Sequence, residues 1–250
     1  MSSAFDQSRY AVRLAWGLRG AREVLPGAAA VAVVDVLSFT TAVAVAVERG
    51  IAVRPLRWGE ASAAEIARSS GAVLAVWRSH AGPGSVSLSP ASLARAQGVS
   101  RVVLPSPNGA TICAEVAGQG VPVVAACLRT AHAVAARLAR VDGPVAVVPA
   151  GERWGDDDSL RPALEDELGA GAVVAALLAA RPGLEVSPEA GAAAAAYGAV
   201  RGALLPTLQR CGSGRELIER GYPEDVEMAA DADCTDVVPL LVDGWFVAAD

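Results

Sequence analysis

The chain has 250 residues, a formal net charge of −6, and an apolar fraction slightly above one half. That balance counts against nucleic-acid binding and argues for a packed globule over a disordered chain. All 21 basic residues are arginines, which excludes a Walker lysine, a Schiff-base lysine and lysine-bound pyridoxal phosphate.

The opening MSSAFDQSRY has no basic segment followed by an apolar one, so no signal peptide is expected and the protein reads as cytoplasmic. The longest apolar runs, 28–34 and 170–180, fall short of the roughly 20 residues of a spanning helix, so no membrane partner is expected. Residues 30–37 (AVAVVDVL) predict a buried strand, followed by a polar turn and a helix over 42–49 that Gly50 closes. The same unit recurs along the chain. Strands are predicted at 51–56, 72–77, 102–104, 121–127 and 145–149. Helices are predicted at 60–69, near 111–117, at 131–140 and at about 163–180. Residues 188–205 read as an alanine-rich helix, 212–221 and the acidic 225–236 as further helical packing, and 237–247 as a terminal strand.

Strands that are apolar throughout, alternating with helices, predict an α/β fold. Its sheet would be mainly parallel with helices on both faces, a three-layer α/β/α arrangement. No strong linker interrupts it, so residues 1–250 read as one domain. Right-handed crossovers would bring the strand-to-helix loops to one edge of the sheet.

Four of those loops carry polar residues suited to an anion. Asp35 ends an apolar strand, where a carboxylate needs a partner or a metal. Ser38, Thr40 and Thr41 follow at a helix start, as oxyanion ligands or as ordinary capping residues. Ser106, Asn108 and Gly109 stand in PSPNGA, where an Asn-Gly turn can form an anion nest or simply a turn. Arg129 lies just past a strand end, as an anion ligand or a surface arginine. In the last loop Glu152 and Arg153 precede the solvated run Asp156–Asp158, and Glu165 and Asp166 open the next helix. Helix-start carboxylates have an electrostatic explanation of their own, yet facing Asp35 they would also make a cation site. Two histidines are too few for a usual zinc hydrolase, and plentiful carboxylates suit a hard cation such as Mg2+. The four dispersed cysteines read as buried small apolar residues.

At these motifs the chain resembles the 2-phosphosulfolactate phosphatase family. The resemblance rests on VVDVLSFTTAVAVAVERG, SLSP, LPSPNGAT, VVPAGERW, LEDELGAG and SGRELIERGYPEDVEMAADAD, which run in family order. It implies a Mg2+-dependent phosphatase that hydrolyses the phosphate ester of 2-phospho-3-sulfolactate, a small anionic substrate. It also implies roles for Asp35, Thr40, Thr41, Asn108, Gly109, Glu165 and Asp166. Asp35, Glu165 and Asp166 are then the expected catalytic and metal-binding set. Ser38, Thr40, Thr41, Ser106, Asn108, Gly109, Arg129 and Arg153 are the expected substrate-binding set. The chain departs from the commoner family pattern at Ser38, where arginine is usual, and at Thr130, where asparagine is. It departs again around Trp77, where a Gly-Glu-Arg segment is reduced to Arg78. The Asp-x-Asp motif of aspartyl-nucleophile phosphatases is absent, which favours attack by water. A phosphatase for another anionic ester and a silent anion-binding relative remain alternatives. No GxGxxG follows the first strand, which weighs against a dehydrogenase. The oligomeric state is open, a homodimer included.

Overall fold

The computed structural model describes residues 5–57, 59–82 and 84–249. Among them the strands are β1 (Val12–Leu14), β2 (Ala30–Val34), β3 (Ala52–Arg57), β4 (Val73–Leu74), β5 (Arg101–Ser106) and β6 (Val123–Ala126). They continue with β7 (Val145–Pro149), β8 (Glu152–Arg153), β9 (Leu160–Arg161), β10 (Pro239–Val242) and β11 (Trp245–Ala248). The helices are α1 (Gly17–Val24), α2 (Phe39–Glu48), α3 (Ala63–Ser69), α4 (Pro90–Arg95), α5 (Gly109–Val116) and α6 (Ala131–Leu138). After them come α7 (Leu164–Ala180), α8 (Pro188–Val200), α9 (Leu204–Arg210), α10 (Gly212–Glu219) and α11 (Pro223–Ala230).

Nine strands form one sheet in the order β1-β7-β2-β6-β10-β11-β3-β5-β4, and β8 pairs with β9 in a separate ribbon. The fold is the expected α/β arrangement of a large, mostly parallel sheet with helices. Side chains alternate across a strand, and β2 uses both directions. Ala30, Ala32 and Val34 enter a core shared with α6, α7 and α8. Val31 and Val33 enter a second core shared with α1, α2 and α5. Burial on both faces is why β2 is apolar at every position.

The sheet differs from the expectation in one respect. β1, β7, β2 and β6 form one parallel block, and β3, β5 and β4 form another. The terminal segment, read above as one strand, is the hairpin β10–β11, and it joins the blocks through antiparallel pairings on both sides. Asp243 and Gly244 turn that hairpin with φ of 50° and 81°, the left-handed pair that a two-residue hairpin loop requires. Three antiparallel steps reverse the second block relative to the first. The turns that follow β2 and β5 meet all the same, Gly109 N donating to Asp35 Oδ2 at 2.8 Å, and α2, α5 and Phe246 share one core. Phe39 at the start of α2 lies edge-on to Phe246, with ring centroids 6.4 Å apart.

Three cysteines, Cys113, Cys127 and Cys211, are buried as expected, whereas Cys234 is exposed. No helix among the described residues is long and apolar enough to cross a membrane.

Candidate active site

The site is built on the turn that follows β2. Asp35 there is buried, and its backbone is locked by Thr40, whose hydroxyl donates to the Asp35 carbonyl at 2.7 Å and accepts from the Asp35 amide at 2.9 Å. The Thr41 hydroxyl donates to the Val36 carbonyl at 2.7 Å. Both threonines are fully buried, so they fix the turn and do not line the cleft. Thr40 and Thr41, expected as substrate contacts, are therefore placed behind the site. The Leu37–Ser38 peptide is cis.

The Asp35 carboxylate collects amides from two loops. Oδ1 accepts from Phe39 N at 3.2 Å and Oδ2 accepts from Gly109 N at 2.8 Å. Gly109 must be glycine for this contact. A Cβ there would lie 2.6 Å from the Phe39 ring and 2.7 Å from Asp35 Oδ2, well inside normal packing distance. The Asn-Gly pair thus brings the end of β5 against the end of β2.

Asp166 performs the same task between β2 and β7. Its Oδ1 accepts from Val36 N at 2.7 Å and its Oδ2 from Gly151 N at 2.8 Å. The helix that carries it approaches closely because Gly169 faces Val34 and Val36, where a Cβ would come within 2.6–2.8 Å of their methyls. Glu165, the preceding residue, is also buried and accepts from the Cys211 thiol at 3.3 Å. Burial and the Glu165 charge push that thiol up to about 12, so it remains a donor.

Glu152 completes an acidic floor that the sequence reading had not placed in the active set. Its Oε2 accepts from Asn108 Nδ2 at 2.8 Å, and Asn108 Oδ1 accepts from Arg153 Nε at 3.3 Å. Desolvation, then the Asp35 and Glu165 charges, raises Glu152 to about 8. Desolvation likewise raises Asp35 to about 6, against the lowering effect of its two amides. Asp166 is pushed well above the usual carboxylate range by burial and by Asp35. The chemical meaning is common to all three: buried negative charge here is undercompensated.

Over Asp35 and Glu152 opens a cleft of about 1530 Å³, lined also by Ser38, Ser106, Asn108 and Arg153 among others; Glu165 and Asp166, expected to act at the site, are buried and do not line it. Its cationic wall includes Arg57, Arg78 and Arg220. Arg57 is tied to Glu115, while Arg78 reaches Ser38 Oγ at 2.5 Å. Of the expected substrate contacts, Ser38, Ser106, Asn108 and Arg153 meet at this cleft, and Gly109 stands behind Asn108. Arg129 does not. It is buried beneath the C-terminal segment, donating to the Met228 carbonyl at 3.0 Å and pairing with Glu48 and Asp231. A strand-end position allowed either direction for that side chain, and the acidic 225–236 segment holds it.

A model of the family described as 2-phosphosulpholactate phosphatase matches residues 21–244. The chain belongs to that family. It is accordingly a phosphoric monoester hydrolase by family, and the match takes in β2, β5, β7 and α7, the elements that build the acidic floor. No curated protein matches the chain.

Asp35, Glu165, Asp166 and Glu152 supply only hard oxygens, and burial together with the neighbouring negative charges raises the proton affinity of Asp35, Glu152 and Asp166, as it does for carboxylates lacking a counter-charge. Among the described residues no three His, Cys, Asp or Glu side chains already stand in a ligating array. Both oxygens of Asp35 and of Asp166 accept an amide, yet each carboxylate oxygen retains a second lone pair. The residues fit a hard cation by charge and donor type.

Proposed function

We propose that the protein is a Mg2+-dependent phosphatase that hydrolyses 2-phospho-3-sulfolactate to 3-sulfolactate and phosphate in the cytoplasm. The observation that carries this reading is the meeting of Asp35, Gly109 and Asp166 from three separate loops, inside the family match. Asp35 and Glu165 would hold the cation, with Asp166 adding charge from its clamp between Val36 and Gly151. When bound, Mg2+ would neutralise charge on the phosphoryl oxygens.

The chain's own groups have separable tasks. Arg78, Arg153 and Asn108 face the cleft with donors suited to phosphate, carboxylate or sulfonate oxygens. Ser38 and Ser106 offer hydroxyls beside them. A carboxylate of the floor orients the attacking water, whose oxygen forms the new bond to phosphorus as the ester P–O bond breaks. Glu152, proton-bearing near neutral pH, hands its proton to the leaving ester oxygen, and its Oε2 stays fixed by Asn108.

A second reading, hydrolysis of another anionic phosphate ester, is favoured by one observation. The cleft is large for a three-carbon acid, and exposed Trp77 lines it where the family pattern is not kept. The test is phosphate release from 2-phosphosulfolactate and a panel of other esters, with Mg2+ and with EDTA. Turnover of 2-phosphosulfolactate above the panel, abolished by EDTA and restored by Mg2+, is the expected result. Preference for another ester establishes the second reading, and full turnover in chelated enzyme removes the metal.

A further inference from the structure

Arg78 is held in a way that a surface arginine is not. It lies in the short helical turn Arg78–His80 after β4, and its Nε donates to Asp225 Oδ2 at 3.1 Å across 147 positions of sequence. Its guanidinium stacks over Tyr222 at 5.6 Å from the ring centroid. Nη2 donates to Ser38 Oγ at 2.5 Å and, more weakly, to the Leu88 carbonyl at 3.4 Å. Nη1 has no hydrogen bond to any described residue, and the side chain lines the cleft. The Nε–Nη2 edge of the fork is therefore pinned, and Nη1 is the nitrogen left over in a side chain that lines the cleft.

Asp225 is itself fixed from three sides. It lies in the first turn of α11 and is 1% exposed. Its Oδ1 accepts from Ser89 Oγ at 2.5 Å and from Ala91 N at 3.3 Å. An ion pair this buried contributes little to stability by itself, because desolvation offsets most of the attraction. It does fix geometry: the planar fork binds an oxyanion well only in one plane. Arg78 also acts on the Asp35 carboxylate through its charge, so it stands at the junction between anion wall and acidic floor.

We propose that Arg78 binds an oxyanion of the substrate through Nη1, and that Asp225 is the positioning residue that aims it. Ser38, where the family usually has arginine, is then the acceptor that steadies Arg78 instead of a cation in its own right. The inference rests on the proposed function only in taking the oxyanion to be the substrate's.

The test uses inorganic sulfate and phosphate as probes, titrated calorimetrically into the EDTA-treated full chain, so it needs no turnover. Asp225→Asn and Arg78→Lys should each weaken sulfate binding about tenfold or more, and the double variant should bind no worse than Arg78→Lys alone. A structural role for Asp225 would lower the thermal midpoint and leave the affinity of the folded protein unchanged; that outcome overturns the proposal. Multiplying effects in the double variant, or a wild-type protein that binds neither anion, would overturn it too. If Asp225→Asn does not fold, Ser89→Ala removes one of the donors that hold Asp225. It should weaken sulfate binding about threefold, and an unchanged affinity refutes the relay. Lack of phosphate release from 2-phosphosulfolactate would defeat the proposed activity but leave these affinities standing.

Discussion

The floor and the wall of the cleft are built on opposite principles. In and beneath the floor, Asp35 and Asp166 are almost fully buried; Asp35 accepts amides from its own turn and from Gly109, and Asp166 from Val36 and Gly151. On the wall, Arg153 bonds Asp158 and Asn108 while remaining substantially exposed. The floor stores uncompensated negative charge in a rigid, dry place, where a small displacement changes electrostatics strongly. Arg153 offers its positive charge in water, where screening makes a single group worth little; Arg78, pinned by buried Asp225, is the exception on the wall. Chemistry should therefore fail abruptly when the floor is altered, and binding should fade gradually when an exposed wall residue such as Arg153 is.

The sharpest way to break this contrast is Asp35→Asn. Turnover should fall on the order of a hundredfold or more, because charge needed in the transition state is lost. The check is steady-state kinetics of the folded variant across a Mg2+ titration; a near-normal rate would make Asp35 a structural residue. Gly109→Ala comes next. The added Cβ must displace Phe39 or Asp35, which should cost about 1–3 kcal/mol in chemical denaturation and at least about tenfold in rate. An unchanged rate would show that the Asn-Gly turn does not set the position of Asp35.

The stored charge also predicts a pH effect. The fold raises Asp35 from 3.8 to about 6 and Glu152 from 4.5 to about 8, so it favours their protonated forms. Their contribution to stability is intact below about pH 4 and is lost as pH rises through about 6 for Asp35 and about 8 for Glu152. Mg2+ should accordingly raise the thermal midpoint more at pH 8 than at pH 5, as read by scanning calorimetry. An equal shift at both would separate the cation from these carboxylates. The smallest effect belongs to the wall. Arg153→Ala should cost under about 1 kcal/mol in stability and raise KM a few-fold, diminishing in high salt. A loss in kcat as large as that of Asp35→Asn would erase the distinction between the two regions.

Legibility in the sequence divides along the same line. Asp35, Gly109 and Asp166 could be proposed together because each sits where an apolar strand hands over to a helix, and that local pattern is strong. The clamp they form needed only that the loops converge. Arg78 and Asp225 carry no such signal. The 75–89 stretch has little periodicity, and Asp225 reads as an ordinary helix-start carboxylate, so their pairing depends on tertiary packing. Glu152 was visible as a charged residue after a buried strand, but its burial was not. The central hairpin was signalled by Asp243-Gly244 at its turn, while its insertion between two blocks was not legible from any local pattern.

That insertion has a consequence for how the molecule is made. On the ribosome, all the strands from β1 to β9 emerge before the segment that seams the sheet. Until residues 239–248 arrive, β6 and β3 each present an unpaired edge, and an open edge invites pairing with another nascent chain. Completion of the sheet must wait for residues 239–248. A chain halted shortly before Pro239 would then carry the acidic floor's residues and still be prone to aggregate.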